Sequence, residues 1–322
     1  MTFIQNNSIL EIDKIVMISE GIQLESEKKE VLFNEYIEQG INNALILVRQ
    51  RFEDTVVEKD KLPFHNTVHT KDMWQRAVRI ASTINQADPE FFPQRSAKIA
   101  ELAAIYHDTV QRWVESPVKE GNFEKIMRRR LSGDNEKASA EEFVEFMEQA
   151  NRNSGIEIFT DTDKAAGKEG IMVTVPGFDL ERGTVIQPSL TAESGVIARI
   201  VALADLGAAG MDGPGKFLPE GDALFREENL DILNALKKPE DISDEEKDYY
   251  RMRMLGWMKL QYKFVSGRKA LLEKELMGLP KDTKAAVRKL FDKFDASIEA
   301  AEEIANQREK MTFEELAAAT GY

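Results

Sequence analysis

Residues 97–108 read AKIAELAAIYHD, and this stretch predicts the fold class of the chain. Its apolar residues recur at steps of three and four, the spacing that aligns side chains on one face of an α-helix. His107 continues the row of Ile99 and Ala103, and Asp108 lies on the row beside it. The stretch therefore predicts a buried helix that ends in an imidazole and a carboxylate.

The same periodicity continues on both sides of this stretch and predicts an all-α helical bundle. It recurs in residues 26–52, 63–84, 136–150, 160–174, 191–206, 243–277 and 281–310. We expect Pro63 to start its helix, because the first helical position needs no N–H donor. Residues 180–190 predict at most a small hairpin, residues 115–135 an irregular excursion, and the Gly- and Pro-rich residues 207–221 a loop.

The length predicts a single helical domain over residues 1–322. We expect its main core at about residues 45–235 and C-terminal helices, about residues 243–322, packed on that core. The apolar face of residues 281–310 fits core packing, and a homo-oligomer formed through the C-terminal helices is the alternative.

Composition excludes several classes of partner. The formal net charge is -14, and a surface this acidic repels nucleic-acid backbones and anionic lipid headgroups. We therefore expect neither a nucleic-acid polymer nor a membrane as partner. A small phosphorylated substrate would need a local positive centre, which a bound cation can supply.

The chain contains no cysteine, which rules out disulfides, thiolate metal sites and cysteine nucleophiles. The first 20 residues show no basic segment followed by an apolar run, the pattern of a signal peptide. The expected location is the cytoplasm.

All three histidines of the chain fall within 43 residues, at His65, His69 and His107. The first two are four residues apart and would point the same way on a helix. A histidine and an aspartate at the end of buried rows are unfavourable without partners. Asp205 would also need a partner, because it continues the buried row of Ile197 and Val201.

Three predicted helices thus each aim a histidine or an aspartate at the interior, and one cation would satisfy them all. Imidazole nitrogens and carboxylate oxygens suit zinc, iron, manganese or nickel better than magnesium. Simpler explanations exist, since a single buried histidine is usually a hydrogen-bonded core residue and a single aspartate often caps a helix. The use of every histidine favours the metal site.

The motifs PFHNTVHTKDM at residues 63–73, AAIYHD at 103–108 and ALADLG at 202–207 resemble the H…HD…D pattern of the HD-domain metal-dependent phosphohydrolase superfamily. The HNxxH form is also similar to the start of the cyclic-nucleotide phosphodiesterase core. Asp134-Asn135-Glu136, followed by Ser139, is similar to an uncharacterised branch of predicted phosphohydrolases in that superfamily. The resemblance covers roughly residues 60–210.

The resemblance implies roles for particular residues. The metal ligands would be His69, His107, Asp108 and Asp205. His65 would stand outside the ligand set and protonate the leaving oxygen, and Asp108 could bridge to a second ion. Phosphodiesterases carry a further histidine shortly after HD, where this chain has Gln111, so a histidine-rich dinuclear centre is excluded.

Charge on the phosphoryl oxygens needs hydrogen-bond donors or cations. Arg112 and Arg268 are candidates for substrate binding, and surface or interhelix salt bridges are the alternative for both. Glu136 would contact substrate or orient a water molecule, unless it only stabilises a helix N-terminus. The run Arg128–Arg130 fits a solvated face, or a patch that gathers anionic substrate at the entrance.

These expectations define a metal-dependent phosphohydrolase that cleaves a phosphate ester, such as one of a nucleotide, with Asp108 and His65 as catalytic residues. The alternative is a non-catalytic sensor of the same fold that binds a metal or a nucleotide. His65 favours catalysis, because a pure binding site needs no proton donor.

Overall fold

The computed structural model describes residues 4–120 and 123–322. Within them the helices are α1 (Ile4–Phe52), α2 (Thr67–Ala87), α3 (Gln94–Tyr106), α4 (Asp134–Ser154), α5 (Asp161–Met172), α6 (Val196–Asp205), α7 (Pro214–Glu228), α8 (Leu230–Ala235), α9 (Asp244–Glu275), α10 (Lys281–Arg288), α11 (Phe294–Arg308) and α12 (Phe313–Thr320). The strands are β1 (Trp113–Glu120), β2 (Phe123–Arg130), β3 (Gly177–Asp179) and β4 (Thr184–Ile186). Helices make up 69% of the chain, which confirms the all-α class, with two hairpins instead of one.

Helix α3 lies at the centre of the fold and packs against α1, α2, α4, α5 and α6. Ala100, Ala103 and Ala104 are fully buried, and their small side chains let the neighbouring helices approach closely. This packing brings the C-terminal end of α3 next to α2 and α6. No helix in the described ranges has both the length and the apolar character needed to cross a bilayer.

Helix α2 begins at Thr67, so the expectation that Pro63 starts it is wrong. Asn66 is the N-cap, and its side-chain oxygen accepts the backbone N–H groups of Val68 (2.8 Å) and His69 (3.2 Å). A side-chain cap satisfies helical donors that proline cannot satisfy. His65 therefore precedes the helix and does not share a helical face with His69.

Helix α6 is shorter than expected, because it begins at Val196 and has Gly195 as its N-cap. Residues 189–195, before the helix, are irregular. Residues 207–221 are also not a loop, since they form a π-helical turn, Ala208–Asp212, and the first half of α7. Gly213, at φ +85°, makes the sharp break that allows Pro214 to open α7.

The expected irregular excursion over residues 115–135 is instead the antiparallel hairpin β1–β2, although residues 121–122 lie outside the described residues. Trp113 pairs with Arg130 and Glu115 with Arg128. Side chains alternate across a strand, so Arg128 and Arg130 share one face and Arg129 takes the other. Arg128 is 6% exposed, which contradicts the expectation of a solvated face for the whole run.

The C-terminal helices pack on the rest of the fold. Ser243 caps α9 by accepting the N–H of Glu246. Residues 281–310 are broken into α10 and α11, and their buried Val287, Phe291 and Phe294 join the main hydrophobic core. Core packing of this amphipathic face is thereby confirmed.

Candidate metal centre

Three potential metal ligands converge where α2 and α3 meet. His69 lies in the first turn of α2, His107 directly follows the last residue of α3, and Asp108 comes next. Each offers a donor atom that lies within 4.8 Å of the other two, and all three side chains are buried. The buried rows that the sequence places on α3 thus end at the same point in space.

Asp205, the last residue of α6, approaches this group from another side. Its Oδ1 atom lies 3.7 Å from Nε2 of His107. Its Oδ2 atom accepts a hydrogen bond of 2.9 Å from the side chain of Gln187, which follows β4. The hairpin β3–β4 therefore fixes the orientation of the fourth predicted ligand.

The separations between donor atoms fit a common ion. Oδ2 of Asp108 lies 2.9 Å from Nε2 of His107 and 3.8 Å from Nε2 of His69. Donor atoms on one tetrahedral or octahedral ion with bonds of about 2.1 Å lie about 3.0–3.4 Å apart. A divalent cation would thus need only small side-chain adjustments.

His69 is the clearest sign that something is bound here. Its side chain is 4% exposed, and neither ring nitrogen has a hydrogen-bond partner among the described residues. Burial, together with the neighbouring His65, holds the pKa of His69 well below its ordinary value, so the ring is neutral. A neutral imidazole with a free lone pair is the form that binds a metal.

His107 is held in the matching orientation. Its Nδ1 atom donates to the carbonyl oxygen of Ala104 at 2.8 Å, which directs Nε2 at Asp108 and Asp205. Burial alone would lower the pKa of His107, but these carboxylates outweigh it and raise the pKa to about 10. Without a cation, a proton therefore balances their charge.

Asp108 is ionised despite its burial. Burial raises the pKa of its carboxyl group, but His107 and His65 outweigh this effect and lower it well below the ordinary value. The side chain is 8% exposed. A buried carboxylate in this state is a strong ligand for a hard or borderline cation.

His65 stands beside the ligands and is oriented by a residue that the sequence analysis did not single out. Its Nε2 atom lies 3.6 Å from Oδ2 of Asp108, and its Nδ1 atom donates to the carboxylate of Glu227, the buried penultimate residue of α7. The other oxygen of Glu227 accepts the backbone N–H groups of Phe64 and His65, both at 3.1 Å. Glu227 thus anchors both the ring and the backbone of His65.

The other oxygen of Asp108 faces a different set of groups. Its Oδ1 atom accepts a hydrogen bond from Gln111 Nε2 at 2.7 Å and contacts Arg130 Nη2 at 3.3 Å. Arg130 also pairs with Glu136 at 3.1 Å. Glu136 in turn accepts the N–H of Gly133 at 2.5 Å, so it caps α4 and reaches the centre only through Arg130.

The two arginines predicted to bind substrate lie elsewhere. Arg268 is 3% exposed, pairs with Glu275 at 2.5 Å and donates to the carbonyl of Val185 at 3.1 Å. It therefore forms the structural salt bridge that was its alternative. Arg112 is exposed, and within the described ranges its guanidinium has no hydrogen bond or ion pair.

Arg112 borders a cavity of about 660 Å³ between α1, the loop after α3 and the β1–β2 hairpin. Gln111, Trp113 and Arg128 also line it, and the guanidinium of Arg128 lies 4.4 Å from the centre of the Trp113 ring. Because Gln111 contacts Asp108, one side chain separates this cavity from the candidate metal centre.

Sequence reasoning missed Glu227, Arg130 and Gln187 as members of the site. Recognition of the hairpin would have found Arg130, because residues 121 and 122 are Gly and Asn, a common turn pair between strands. Glu227 lies 162 residues from His65, and nothing in its local sequence distinguishes it from the adjacent Glu228. Only the packing of α7 reveals it.

The chain matches no protein-family model, no curated protein and no solved structure. The resemblance to the HD-domain superfamily thus remains a prediction that rests on the motifs alone.

Proposed function

We propose that this protein is a metal-dependent hydrolase that cleaves a phosphate ester of a small molecule, such as a nucleotide. The observation that carries the proposal is the convergence of His69, His107 and Asp108 on one buried point, where both nitrogens of His69 lack partners among the described residues. Asp205 borders this point, with its Oδ1 atom 3.7 Å from Nε2 of His107. Manganese, iron, nickel, zinc and magnesium are all candidates for the ion, with magnesium the least suited to imidazole ligands.

The bound cation would lower the pKa of a coordinated water and polarise a phosphoryl oxygen. The chain's own residues account for the remaining steps. Asp108 and His107 orient the reacting groups, because hydrogen bonds with Gln111 and with the carbonyl of Ala104 hold their buried side chains. The local positive centre also offsets the repulsion between an anionic substrate and a chain of net charge -14.

His65 is the general acid in this proposal. Its Nδ1–H is committed to Glu227, so the proton it can transfer lies on Nε2, the nitrogen that faces Asp108. Negative charge on Glu227 stabilises the protonated imidazole. His65 then donates this proton to the departing alkoxide and is reprotonated from solvent.

The cavity beside Gln111 supports a place for the organic part of the substrate. Arg112 lies on its wall without an ion pair to any described residue, and Trp113 adds an apolar surface. We expect Arg112→Gln to raise KM up to about tenfold with kcat nearly unchanged, because the contact is the same in substrate and transition state. Arg152→Gln, at an exposed salt bridge on α4, is the control. An unchanged KM would remove Arg112 from the proposal.

The test begins with elemental analysis of the purified protein, followed by a screen of phosphate esters with manganese, nickel, cobalt and magnesium. His69→Ala and Asp205→Ala are expected to abolish both metal binding and turnover. His65→Ala is expected to retain the metal and to lose about 10²–10⁴-fold in rate on alkyl esters, and much less on nitrophenyl esters. Equal losses on the two leaving groups would refute the assignment of His65 as acid.

The second candidate is a non-catalytic sensor that binds a metal or a nucleotide. It is favoured by Gln111 at the position of the phosphodiesterase histidine and by the deep burial of His69 and His107. Stoichiometric metal binding without turnover of any ester in the screen would select it. A homo-oligomer formed through the C-terminal helices and a cytoplasmic location, where small phosphate esters are abundant, both remain proposals.

A further inference from the structure

The two oxygens of Asp108 face opposite halves of the site. Oδ2 faces the imidazoles of His65, His69 and His107, at 3.6, 3.8 and 2.9 Å. Among the described residues, the contacts of Oδ1 are both with hydrogen-bond donors, the amide of Gln111 at 2.7 Å and the guanidinium of Arg130 at 3.3 Å. The carboxylate of Asp108 therefore lies between the predicted metal ligands on one side and hydrogen-bond donors on the other.

A carboxylate that bridges two cations gives one oxygen to each, with the ions about 3.5–4 Å apart. In this site the second ion would have to approach Oδ1. Arg130 already lies there, with a permanent positive charge that repels a cation. Gln111 turns its NH2 group, a donor with no free lone pair, to the same oxygen.

The second carboxylate that binds Arg130 is also occupied. Glu136 binds Arg130 with one oxygen and caps α4 through the N–H of Gly133 with the other. Gln111 and Arg130 both contact Oδ1 through N–H donors, while the amide oxygen of Gln111 is buried without a hydrogen-bond partner among the described residues. The half of the site around Oδ1 is thus built for a guanidinium.

We propose that the guanidinium of Arg130 occupies the position of a second cation, so that the centre takes one metal ion and Arg130 binds the phosphoryl group beside it. The inference rests on the proposed function. Guanidinium binds phosphoryl oxygens through its directional N–H donors. The Nε–H of Arg130 is buried and has no acceptor among the described residues, which makes it the donor assigned to a phosphoryl oxygen.

The backbone around Arg130 supports a fixed position for this charge. Arg130 is the last residue of β2 and pairs with Trp113 across the hairpin. Directly after it, the N–H of Leu131 donates to the carbonyl of Arg112 at 3.0 Å. Asp108 and Glu136 then hold the side chain from two sides.

The first test counts metal ions. Metal-stripped protein is titrated with Mn²⁺ in a calorimeter, and the loaded protein is analysed for manganese after gel filtration. One ion per chain is expected. Two ions per chain would overturn the inference and leave the proposed function standing, whereas no binding at millimolar Mn²⁺ would overturn both.

The second test measures the affinity of the manganese-loaded protein for inorganic phosphate. Arg130→Met is expected to weaken phosphate binding about ten- to a hundredfold, because it removes a charge-assisted hydrogen bond. Methionine keeps most of the aliphatic part of the arginine side chain. Arg129→Met is the matched control, since Arg129 is adjacent in β2 but exposed on the opposite face. It is expected to leave the affinity unchanged.

Arg130→Lys guards against a folding defect, because it keeps the charge and loses only the fork of donors. It is expected to bind phosphate with an affinity between those of wild type and Arg130→Met, and to retain one ion. If Arg130→Met, folded by circular dichroism, binds phosphate as tightly as the wild type, Arg130 does not contact the phosphoryl group.

Discussion

The effect of Glu227 on the site is local. Its carboxylate binds the ring of His65 and the backbone N–H groups of Phe64 and His65. Neutral glutamine at this position keeps the shape but cannot stabilise a protonated imidazole. We expect Glu227→Gln to lower kcat about 10²-fold, with the same leaving-group dependence as His65→Ala. Metal content should stay that of the wild type.

The double variant distinguishes positioning from simple damage. If Glu227 acts through His65, Glu227→Gln adds little to the loss already caused by His65→Ala. If the rate losses of the two single variants multiply in the double variant, Glu227 contributes independently of His65. The hydrogen bond between the two residues would then not account for the effect of Glu227 on the rate.

Glu228 gives a pH dependence of stability at the same end of α7. Burial, with a smaller contribution from Glu227, raises the pKa of Glu228 from 4.5 to about 6. A carboxyl group whose pKa is raised in the folded state holds its proton more tightly when folded. Stability is therefore full below pH 4.5 and falls as the pH rises through about 6.

We expect Glu228→Gln to stabilise the metal-stripped protein by up to about 2 kcal/mol at pH 7.5 and by almost nothing at pH 4.5. Urea unfolding at both values measures this difference. Glu240→Gln, at an exposed position, is the control and should show no such change. A gain of equal size at both pH values would contradict the titration of Glu228.

Some site residues were predictable from the sequence and others were not, for a physical reason. Asp205 and Asp108 were found because each ends a buried helical row, where an unpaired charge is unfavourable. His65 was found only through its motif, and the helical geometry assumed for it was wrong. Arg130 and Glu227 enter the site from elements whose local patterns carry no sign of burial.

At the scale of elements, the N-terminus of α2 joins stability to the metal site. Asn66 caps the helix by accepting the N–H of His69. His69 is the predicted ligand whose two ring nitrogens both lack a hydrogen-bond partner among the described residues. We expect Asn66→Ala to destabilise the protein by about 1 kcal/mol and to weaken Mn²⁺ binding several-fold, because the first turn of α2 loosens. Chemical unfolding and calorimetric titration measure the two effects.

Thr312→Ala is the matched control for this prediction. Thr312 caps α12 in the same way, by accepting the N–H of Glu315 at 3.2 Å. It makes no contact with the metal centre within the described chain. The control should lose similar stability and keep the metal affinity, and a loss of affinity in both variants would mean that the effect is global.

The β1–β2 hairpin was the element that sequence periodicity predicted worst. Its strands carry charged residues on both faces, including Glu115 opposite Arg128, so no alternation of apolar and polar residues marks it. Pro117 also argues against a strand, but a two-stranded ribbon leaves edge positions where no N–H donor is needed. The helices of the core were predictable because their periodicity is strong, and only their ends shifted.

At the scale of the whole molecule, a bound ion joins parts of the chain that are distant in sequence. The four predicted ligands come from α2, the end of α3 and the end of α6, and Glu227 adds α7 through His65. Removal of the ion leaves Arg130, beside Asp108, and a proton on His107 as the counter-charges for Asp108 and Asp205. The folded state should therefore depend on the ion.

We expect saturating Mn²⁺ to stabilise the protein by about 2.7 kcal/mol at a hundredfold excess over Kd, and a chelator to reverse the effect. Thermal unfolding with and without the ion measures it. His69→Leu should abolish the increase, and its metal-stripped form should be no less stable than that of the wild type, because the unpartnered imidazole is gone. A wild-type Tm that does not respond to any divalent cation would contradict the metal site.

The concentration of every histidine in one place has a consequence for spectroscopy. Imidazole signals in a nuclear magnetic resonance spectrum of this protein can come only from His65, His69 and His107. The Nδ1 protons of His65 and His107 are hydrogen-bonded and shielded from water, so they should resonate far downfield with slow exchange. Three uncrowded sets of peaks, obtained without selective labelling, would then follow ion binding and proton transfer one ring at a time.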